Sequence, residues 1–283
     1  MKAYIIGTGS AGCRHSRILN TFGVQSIGVT QTKGSHNELS YEHSFERLIP
    51  IHECNPEAQD LIIISSISSK HTELCKRFLS HPLIFCEKPG PNFQSKDIRI
   101  LFNLRFLDVI EFFIKRKKII TSIDFIFEAN AKKWHPNEDY RGSYVFNKDM
   151  GGGCILTNSH EIDLLSAFGH KLDINKFEIK ETIIDQNHNE LDTAFSYCKD
   201  NYSIESSIVS IEPRRIYKFK TATGIFEYNF ASNQYINNSL NSVDLSFFKM
   251  WSNILESIQN KTNCLLPSAA DSQFIHDIER ERI

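Results

Sequence analysis

The chain has 283 residues, of which 41% are hydrophobic, and its 32 basic and 34 acidic side chains give a formal net charge of -2. A chain of this length can bury substantial cores in two modest domains. The near-neutral charge provides no electrostatic footprint for nucleic acid or for an anionic membrane surface. We therefore expect neither of these partners and favour a small molecule.

The cysteines and the amino terminus indicate the compartment. Seven cysteines occur without a C-x-x-C pair or zinc-ligand spacing, which predicts reduced thiols and no bound metal. The first residues enter a strand directly, without the basic, apolar and small-residue segments of a secretion signal. No apolar run approaches the roughly 20 residues of a membrane span. We expect a cytoplasmic protein without a membrane segment.

A glycine-rich turn follows the first predicted strand. Residues 3–6 precede a G-x-G-x-x-G pattern, and residues 13–22 then show helical periodicity. In such a turn the first glycine allows the bend, the second admits a pyrophosphate, and the third lets the helix pack closely. A glycine turn without a ligand is the alternative, but the flanking strand and helix favour a dinucleotide site. Its predicted contacts are Gly7, Gly9, Ser10, Ala11 and Gly12.

The second predicted strand, residues 25–30, bears on the choice of dinucleotide. No acidic residue follows it that would accept a hydrogen bond from a ribose 2′-hydroxyl. Thr30, Thr32 and Lys33 could instead donate to a 2′-phosphate. The cofactor is therefore NAD or NADP, with a slight tilt to NADP, and ordinary loop residues are the alternative interpretation of these three side chains.

Further segments predict a parallel sheet. Residues 60–66 form a continuous apolar run, as in a strand buried on both faces, and residues 71–79 follow as a helix. Residues 83–86 are another strand, ending at Glu87-Lys88-Pro89, which delivers a lysine to the sheet edge where open α/β sheets bind ligands. Alternating strands and helices predict an α/β, doubly wound Rossmann sheet. A short helix is suggested within residues 35–50.

The second half of the chain has a different pattern. Runs of strands without intervening helices predict a carboxyl-terminal α+β domain with a mainly antiparallel open sheet, so we divide the chain into domains 1–103 and 104–283. Glu212-Pro213 is a predicted turn. The predicted strands are residues 98–102, 119–129, 177–184, 193–197, 203–211, 216–221 and 225–230, and the predicted helices are residues 107–115, 243–258 and 269–282.

Two stretches of this half carry candidate chemistry. The loop of residues 132–144 contains Trp134, His135 and Arg141, a composition suited to a hydroxylated or anionic substrate, although a solvated surface loop is an equal alternative. A glycine triplet at residues 151–153 then opens a helix predicted to run to residue 165. His160 and Asp163 share one face of that helix. A histidine buried in the core is the alternative interpretation of His160.

Taken in order, these motifs resemble the glucose-fructose oxidoreductase, inositol dehydrogenase and rhizopine-catabolism family. The stretch from Trp134-His135-Pro136 to Tyr144, together with Ser159-His160-Glu161, resembles the polysaccharide and nucleotide-sugar branch of that family. The resemblance covers almost the whole chain. It rests on the glycine turn, residues 65–71, Glu87-Lys88-Pro89, Asn103-Leu104-Arg105-Phe106, and the glycine triplet followed by His160 and Asp163.

The resemblance implies an oxidoreductase that moves a hydride between NAD(P) and a hydroxyl-bearing carbon of a sugar, cyclitol or nucleotide sugar. Lys88 would hydrogen bond the hydroxyl, His160 would act as general base in oxidation and general acid in reduction, and Asp163 would orient the site. The carboxyl-terminal sheet would form the interface of a homo-oligomer. Further implied cofactor contacts are Ser65, Ser66, His71 and Glu87, and further implied substrate contacts are Arg105 and Thr157.

Two departures from the family pattern leave other functions open. Thr157 stands where the family commonly has an aspartate, although Asp163 or Glu161 could substitute for that carboxylate. The segment from Pro89 to Asn103 has room for barely one element, where relatives fit a helix and a strand. The alternatives are a catalytically degenerate nucleotide-binding sensor or assembly partner, and an NAD-dependent glycoside hydrolase. A methyltransferase would give Glu87-Lys88-Pro89 no role.

Overall fold

The computed structural model describes residues 1–30, 44–134, 139–231 and 242–282. The chain divides into two compact units. The first comprises Met1–Leu101 and Phe247–Gln273, and the second comprises Phe102–Ser246 and Phe274–Ile283. Residues 247–273 therefore pack in the first unit, whereas the sequence placed them in the second domain.

The first unit contains a six-stranded parallel sheet, sheet A, with strand order β3-β2-β1-β4-β5-β6. The predicted doubly wound α/β architecture is confirmed. Strand β4 is buried along its full length, as its continuous apolar run requires. The strands are β1 (Lys2–Ile6), β2 (Gln25–Thr30), β3 (Arg47–Pro50), β4 (Leu61–Ile64), β5 (Ile84–Cys86) and β6 (Arg99–Ile100), and the first two helices are α1 (Ser10–Thr21) and α2 (Ser68–Arg77).

Strand β3 corrects the helix suggested within residues 35–50, and residues 31–43 lie outside the described part of the chain. Ile49 is buried and pairs with Val29 of β2, whereas Leu48 is exposed. Among the described strands, β3 pairs only with β2 and lies at the edge of sheet A. Pairing with β2 therefore decides the structure of a segment that is too short to show a clear period by itself.

The connection from β5 to β6 contains no helix in residues 87–98, all of which are described. The carboxyl-terminal segment covers β6 instead. Ile100 N–H donates to the Pro267 carbonyl at 2.9 Å, and Ala269 N–H donates to the Ile98 carbonyl at 2.9 Å. Arg99 and Ser268 also form an antiparallel bridge. These backbone bonds satisfy the open edge of sheet A and explain why residues 247–273 belong to the first unit.

The second unit is built on sheet B, with strand order β12-β11-β7-β10-β9-β8. Of its neighbouring strand pairs, β7–β10 is parallel and the others are antiparallel, which confirms the predicted mainly antiparallel sheet. The strands are β7 (Ile120–Asn130), β8 (Phe177–Ile184), β9 (Glu190–Lys199), β10 (Tyr202–Ser207), β11 (Val209–Thr221) and β12 (Gly224–Asn229).

The turn predicted at Glu212-Pro213 is wrong. Both residues lie inside β11, where the pairing with β7 shifts register between Val209 and Arg214. A proline has no N–H to donate, so it is tolerated where a bulge interrupts the ladder. The chain therefore continues through this point as one irregular strand.

The helices of the second half include one break that the sequence did not predict. The helix expected to run from the glycine triplet to residue 165 is divided at Asn158 into α4 and α5. Asp192 on β9 accepts a hydrogen bond from Ile155 N–H at 2.7 Å and so caps the first of these helices. The helices are α3 (Asp108–Lys115), α4 (Cys154–Thr157), α5 (Ser159–Ala167), α6 (Ser242–Asn260) and α7 (Ala269–Arg282). Within the described ranges, no helix is long and apolar enough to cross a membrane.

Candidate functional site

The glycine turn lies between β1 and β4, where the strand order of sheet A reverses direction. Gly7 has a φ of +105°, and a Cβ there would lie 2.7 Å from the Ser65 carbonyl. A Cβ on Gly12 would overlap the carbonyl oxygen of Gly7, whereas a Cβ on Gly9 would meet nothing within 4 Å. The first and third glycines therefore allow close packing, and the second leaves open space beside the turn.

Helix α1 begins beside the open space at Gly9. Gly9 is its N-cap, Cys13 N–H donates to the Gly9 carbonyl at 2.9 Å, and no side chain caps the helix. The first turn carries Ser10 and Ala11 and no acidic residue. The N–H groups of a first helical turn have no partner within the helix and carry partial positive charge. This geometry suits a phosphate or another anion.

The loop after β4 completes this edge of the sheet. The Ser65 hydroxyl donates to the Gly7 carbonyl at 2.8 Å, so it joins the loop to the glycine turn. His71 is buried, and its Nε2 lies 3.0 Å from the Ser66 carbonyl. These contacts give Ser65 and His71 a part in shaping the loop, while Ser66 is half-buried beside them.

The predicted 2′-phosphate contacts are only partly described. Thr30 ends β2, and its hydroxyl lies 3.5 Å from the Ile49 carbonyl, to which it donates. Thr32 and Lys33 lie outside the described residues. The structure therefore provides no geometry for a preference between NAD and NADP.

Lys88 lies two residues after the end of β5, at the same carboxyl edge of sheet A as the glycine turn. The preceding residue is anchored through Glu87 N–H, which donates to the Ile64 carbonyl at 2.8 Å. The Glu87 carboxylate accepts from Lys88 N–H at 3.2 Å, and the Lys88–Pro89 peptide is cis. Lys88 is thus delivered to the edge where parallel sheets bind ligands.

The sequence did not single out the residue that holds Glu87. His15 Nε2 on α1 lies 2.7 Å from Glu87 Oε1, and Trp251 Nε1 on α6 donates to His15 Nδ1 at 3.0 Å. Burial raises the pKa of the Glu87 carboxyl, but the hydrogen bond with His15 and the charge of Lys88 outweigh it, so the pKa lies below its usual value. No local pattern reveals these contacts, because they join parts of the chain that are distant in sequence.

In the second unit, His160 lies on α5 and is half-buried, with the Phe102 ring edge-on at a centroid distance of 5.6 Å. Asp163 follows one turn later and is 2% exposed. Arg105 binds both oxygens of Asp163, with Nε at 2.8 Å and Nη2 at 2.6 Å. The structure therefore pairs a predicted substrate contact with a predicted catalytic carboxylate.

Glu161 projects from α5 towards sheet B. Its Oε1 accepts from Arg215 at 2.9 and 2.6 Å and from the Tyr217 hydroxyl at 2.6 Å. Burial raises the pKa of Tyr217 well above its ordinary value, so the phenol stays a hydrogen-bond donor. Glu161 therefore serves a buried network on sheet B, and the sequence identified neither Arg215 nor Tyr217.

The remaining predicted substrate contacts are dispersed over the second unit. Thr157 is buried at the end of α4. Trp134 is exposed, and Arg141 is an exposed side chain whose Nε lies 3.1 Å from Asp139. His135 lies outside the described residues. These positions leave the roles of Trp134, His135 and Arg141 as predictions.

A cavity of about 680 Å³ lies in the first unit, at the amino-terminal ends of β5 and β6, and none of the predicted site residues lines it. Its charged lining includes Lys96, Arg99 and Lys261. It is at the opposite edge of sheet A from the glycine turn. Across the described segments, no group of three or more His, Cys, Asp or Glu side chains is arranged to hold a metal ion.

No protein-family model matches this sequence, and no curated protein is significantly similar to it. Solved structures do match over nearly the full chain. A myo-inositol dehydrogenase from Corynebacterium glutamicum superposes with a TM-score of 0.72 at 12% identity, covering 99% of this chain and 94% of the other. A UDP-N-acetylglucosamine 3-dehydrogenase from Acidithiobacillus ferrooxidans gives 0.66 at 12% identity, with 99% and 96% coverage.

A third similar structure is an oxidoreductase from Agrobacterium radiobacter in complex with NAD+, L-tartaric acid and magnesium. It gives a TM-score of 0.65 at 10% identity and covers 99% of this chain and 94% of the other. The chain therefore has the fold of two-domain dehydrogenases built from a Rossmann sheet and an open mixed sheet. The resemblance found in the sequence to the glucose-fructose oxidoreductase and inositol dehydrogenase family extends to this fold.

The glycine turn predicts a difference between two matched substitutions. Gly12→Ala should lower the free energy of unfolding by about 1 to 3 kcal/mol, because the new Cβ overlaps the Gly7 carbonyl. Gly9→Ala should cost less, at most about 1 kcal/mol, because Gly9 has a φ of -75° and open space around it and alanine is only a poorer N-cap than glycine. Urea unfolding followed by circular dichroism measures both. Equal effects of the two substitutions would contradict the packing described here.

The Arg105–Asp163 pair predicts a structural role for a residue first assigned to substrate. Arg105→Ala should lower the free energy of unfolding by about 3 to 5 kcal/mol, because a nearly buried carboxylate loses a bidentate partner. Lys180→Ala is the matched control, since Lys180 pairs with Glu178 at the surface and its removal should have no measurable effect. If Arg105→Ala unfolds like the control in urea, Arg105 has no such role.

Proposed function

We propose that this chain is an NAD(P)-dependent oxidoreductase that transfers a hydride between nicotinamide and a hydroxyl-bearing carbon of a sugar, cyclitol or nucleotide sugar. One observation carries this proposal: the glycine turn after β1 and Lys88 after β5 lie at the same carboxyl edge of sheet A. Open parallel sheets bind ligands at that edge, where the strand order reverses.

The residues at the glycine turn fit a dinucleotide. Gly9 leaves open space, the start of α1 has no side-chain cap, and its first turn carries no acidic group. We propose that the backbone N–H groups of this turn hold the pyrophosphate. The residues proposed to contact the cofactor are Gly7, Gly9, Ser10, Ala11, Gly12, Thr30, Thr32, Lys33, Ser65, Ser66, His71, Glu87 and Lys88.

The NAD+ complex of the Agrobacterium radiobacter oxidoreductase supports a nicotinamide dinucleotide as the cofactor class. It gives no support to the slight preference for NADP. That preference rests on Thr30, Thr32 and Lys33 alone, so we propose either dinucleotide.

The chemistry assigned to the chain is hydrogen bonding and proton transfer. When bound, the nicotinamide supplies the hydride acceptor or donor. The Lys88 ammonium would donate a hydrogen bond to the substrate oxygen and favour the negative charge that develops there during oxidation. His160 would take the hydroxyl proton in oxidation and return it in reduction, a role suited to imidazole because its ordinary pKa is about 6.5.

The proposed role of Asp163 is to orient the site, as the resemblance implies. Because both of its oxygens bind Arg105, we propose that Asp163 positions α5 and the neighbouring His160, and that it does not carry the proton. The substrate would contact residues beside this helix and in the loop before α4. The proposed substrate contacts are Arg105, Trp134, His135, Arg141 and Thr157.

A homo-oligomer formed through sheet B is also part of the proposal. Large apolar side chains are exposed on β11 and β12, with Ile211 90% and Ile225 69% exposed. Covering them in a second copy would remove this apolar surface from water. A monomer in sedimentation velocity would contradict the assembly.

The second candidate function is a nucleotide-binding member without catalysis. Thr157 replaces the usual carboxylate, and both Asp163 and Glu161 are bound to arginines, which favours this candidate. The dehydrogenases named above do not favour it, and they give no support to a glycoside hydrolase.

Replacing Lys88 tests the leading proposal. Lys88→Met keeps most of the aliphatic stem and removes the ammonium, so kcat should fall about 10²- to 10⁴-fold, while NAD(H) or NADP(H) should still bind through the other proposed contacts at the glycine turn. The assay follows NAD(P)H absorbance with inositols, free sugars and UDP-sugars. Lys96→Met is the control, because Lys96 is an exposed lysine of the same unit.

Turnover by Lys88→Met equal to that of the wild type would contradict the role of Lys88. If the wild-type chain binds nucleotide but turns over no sugar or cyclitol, the proposal of an oxidoreductase fails and the non-catalytic candidate replaces it.

A further inference from the structure

Three hydrogen bonds connect helix α6 to the end of β5 within the first unit. Trp251 Nε1 donates to His15 Nδ1 at 3.0 Å, and His15 Nε2 lies 2.7 Å from Glu87 Oε1. Glu87 Oε2 in turn accepts from the backbone N–H of Lys88 at 3.2 Å. Trp251 and His15 are both 0% exposed. A continuous chain of contacts therefore ends at the residue proposed to touch substrate.

The chemistry of the indole gives this chain of hydrogen bonds a direction. An indole N–H can only donate, so His15 Nδ1 must offer its lone pair to Trp251. The ring proton of a neutral imidazole then lies on Nε2, from which it is donated to Glu87. Trp251 thereby selects the tautomer that leaves Nε2 as a donor to the carboxylate.

Packing keeps these groups in place. The His15 ring lies edge-on to Phe247 at 5.4 Å and to Trp251 at 5.5 Å between centroids. Trp251 also packs edge-on against Phe85 of β5 at 5.8 Å. A buried polar network is stable only when each member has its partner, so removing one member affects the next. The orientation of Glu87 therefore depends on two side chains that touch no substrate.

The short β5–β6 connection gives these contacts their importance. Residues 87–98 contain no helix, so the segment that carries Lys88 has no following helix to fix it. Trp251 of helix α6 holds this segment instead, through its hydrogen bond to His15 and the contact of His15 with Glu87. Glu87 connects His15 to the Lys88 backbone, because one carboxylate oxygen binds the His15 ring and the other accepts from the Lys88 N–H. The position of His15 therefore constrains the Lys88 backbone.

We propose that His15 is a positioning residue for Lys88, and that Trp251 acts by fixing the tautomer of His15. The effect on turnover rests on the oxidoreductase function proposed above, whereas the tautomer and the constraint on Lys88 do not. Neither His15 nor Trp251 contacts the reacting atoms in this account.

The test uses the full chain labelled with ¹⁵N-histidine and ¹⁵N-lysine. In the wild type, ring correlation spectra should show His15 Nδ1 without a proton and Nε2 with one, and the signal is assigned from its loss in His15→Gln. The glutamine can accept from the indole through its carbonyl and donate to Glu87 through its amide. His15→Leu can do neither, and Trp251→Phe removes the indole donor while keeping an aromatic ring, although a smaller one, at that position.

The chemical shift of the Lys88 amide should be unchanged in His15→Gln and should change in His15→Leu and Trp251→Phe. The kcat of His15→Leu should fall about 10- to 100-fold with the nucleotide KM unchanged, as expected when a catalytic group is displaced, and His15→Gln should recover most of it. His81→Leu is the control. His81 also has both ring nitrogens hydrogen bonded, but to Leu83 N–H and the Glu57 carbonyl at the other edge of the sheet.

A proton on His15 Nδ1 in the wild type overturns the inference. An unchanged chemical shift of the Lys88 amide in Trp251→Phe also overturns it. That comparison remains decisive if His15→Leu does not fold. Absence of turnover in the wild-type chain counts against the proposed function alone, because the two NMR comparisons require neither substrate nor cofactor.

Discussion

The hydrogen bond between His15 and Glu87 is the contact on which the candidate site in sheet A depends. It joins the helix that starts at the glycine turn to the strand end that carries Lys88. Trp251 extends the same contact to the carboxyl-terminal part of the chain. The backbone bonds of Pro267 and Ala269 to the β6 edge add a second connection between those parts. Residues 247–273 therefore complete the first unit.

Much of this fold could be predicted from local sequence patterns. Buried parallel strands such as β4 give continuous apolar runs, and a glycine turn between a strand and a helix has a recognisable spacing. The errors occur where distant contacts decide the structure. Helix α4 ends at Thr157, Pro213 lies at a register shift in β11, and β3 forms because β2 lies beside it. The residues next to each of these positions in the sequence do not predict any of the three outcomes.

In the candidate site, too, local motifs predict some features, and contacts between distant residues decide the others. The sequence predicts roles for Lys88 and His160 from motifs at the ends of secondary-structure elements, but it could not show which charges pair in the folded chain. Arg105 and Arg215 bind Asp163 and Glu161, so these two carboxylates are already compensated.

Hydrogen–deuterium exchange with and without nucleotide tests the central claim most directly, because binding slows exchange of the amides that it orders. The account predicts that NAD+ or NADP+ slows exchange in residues 7–13 and 65–71, at the carboxyl edge of sheet A. Exchange in sheet B serves as the internal reference. If saturating concentrations of both nucleotides leave residues 7–13 and 65–71 unchanged, the glycine turn is not a dinucleotide site and the account is wrong.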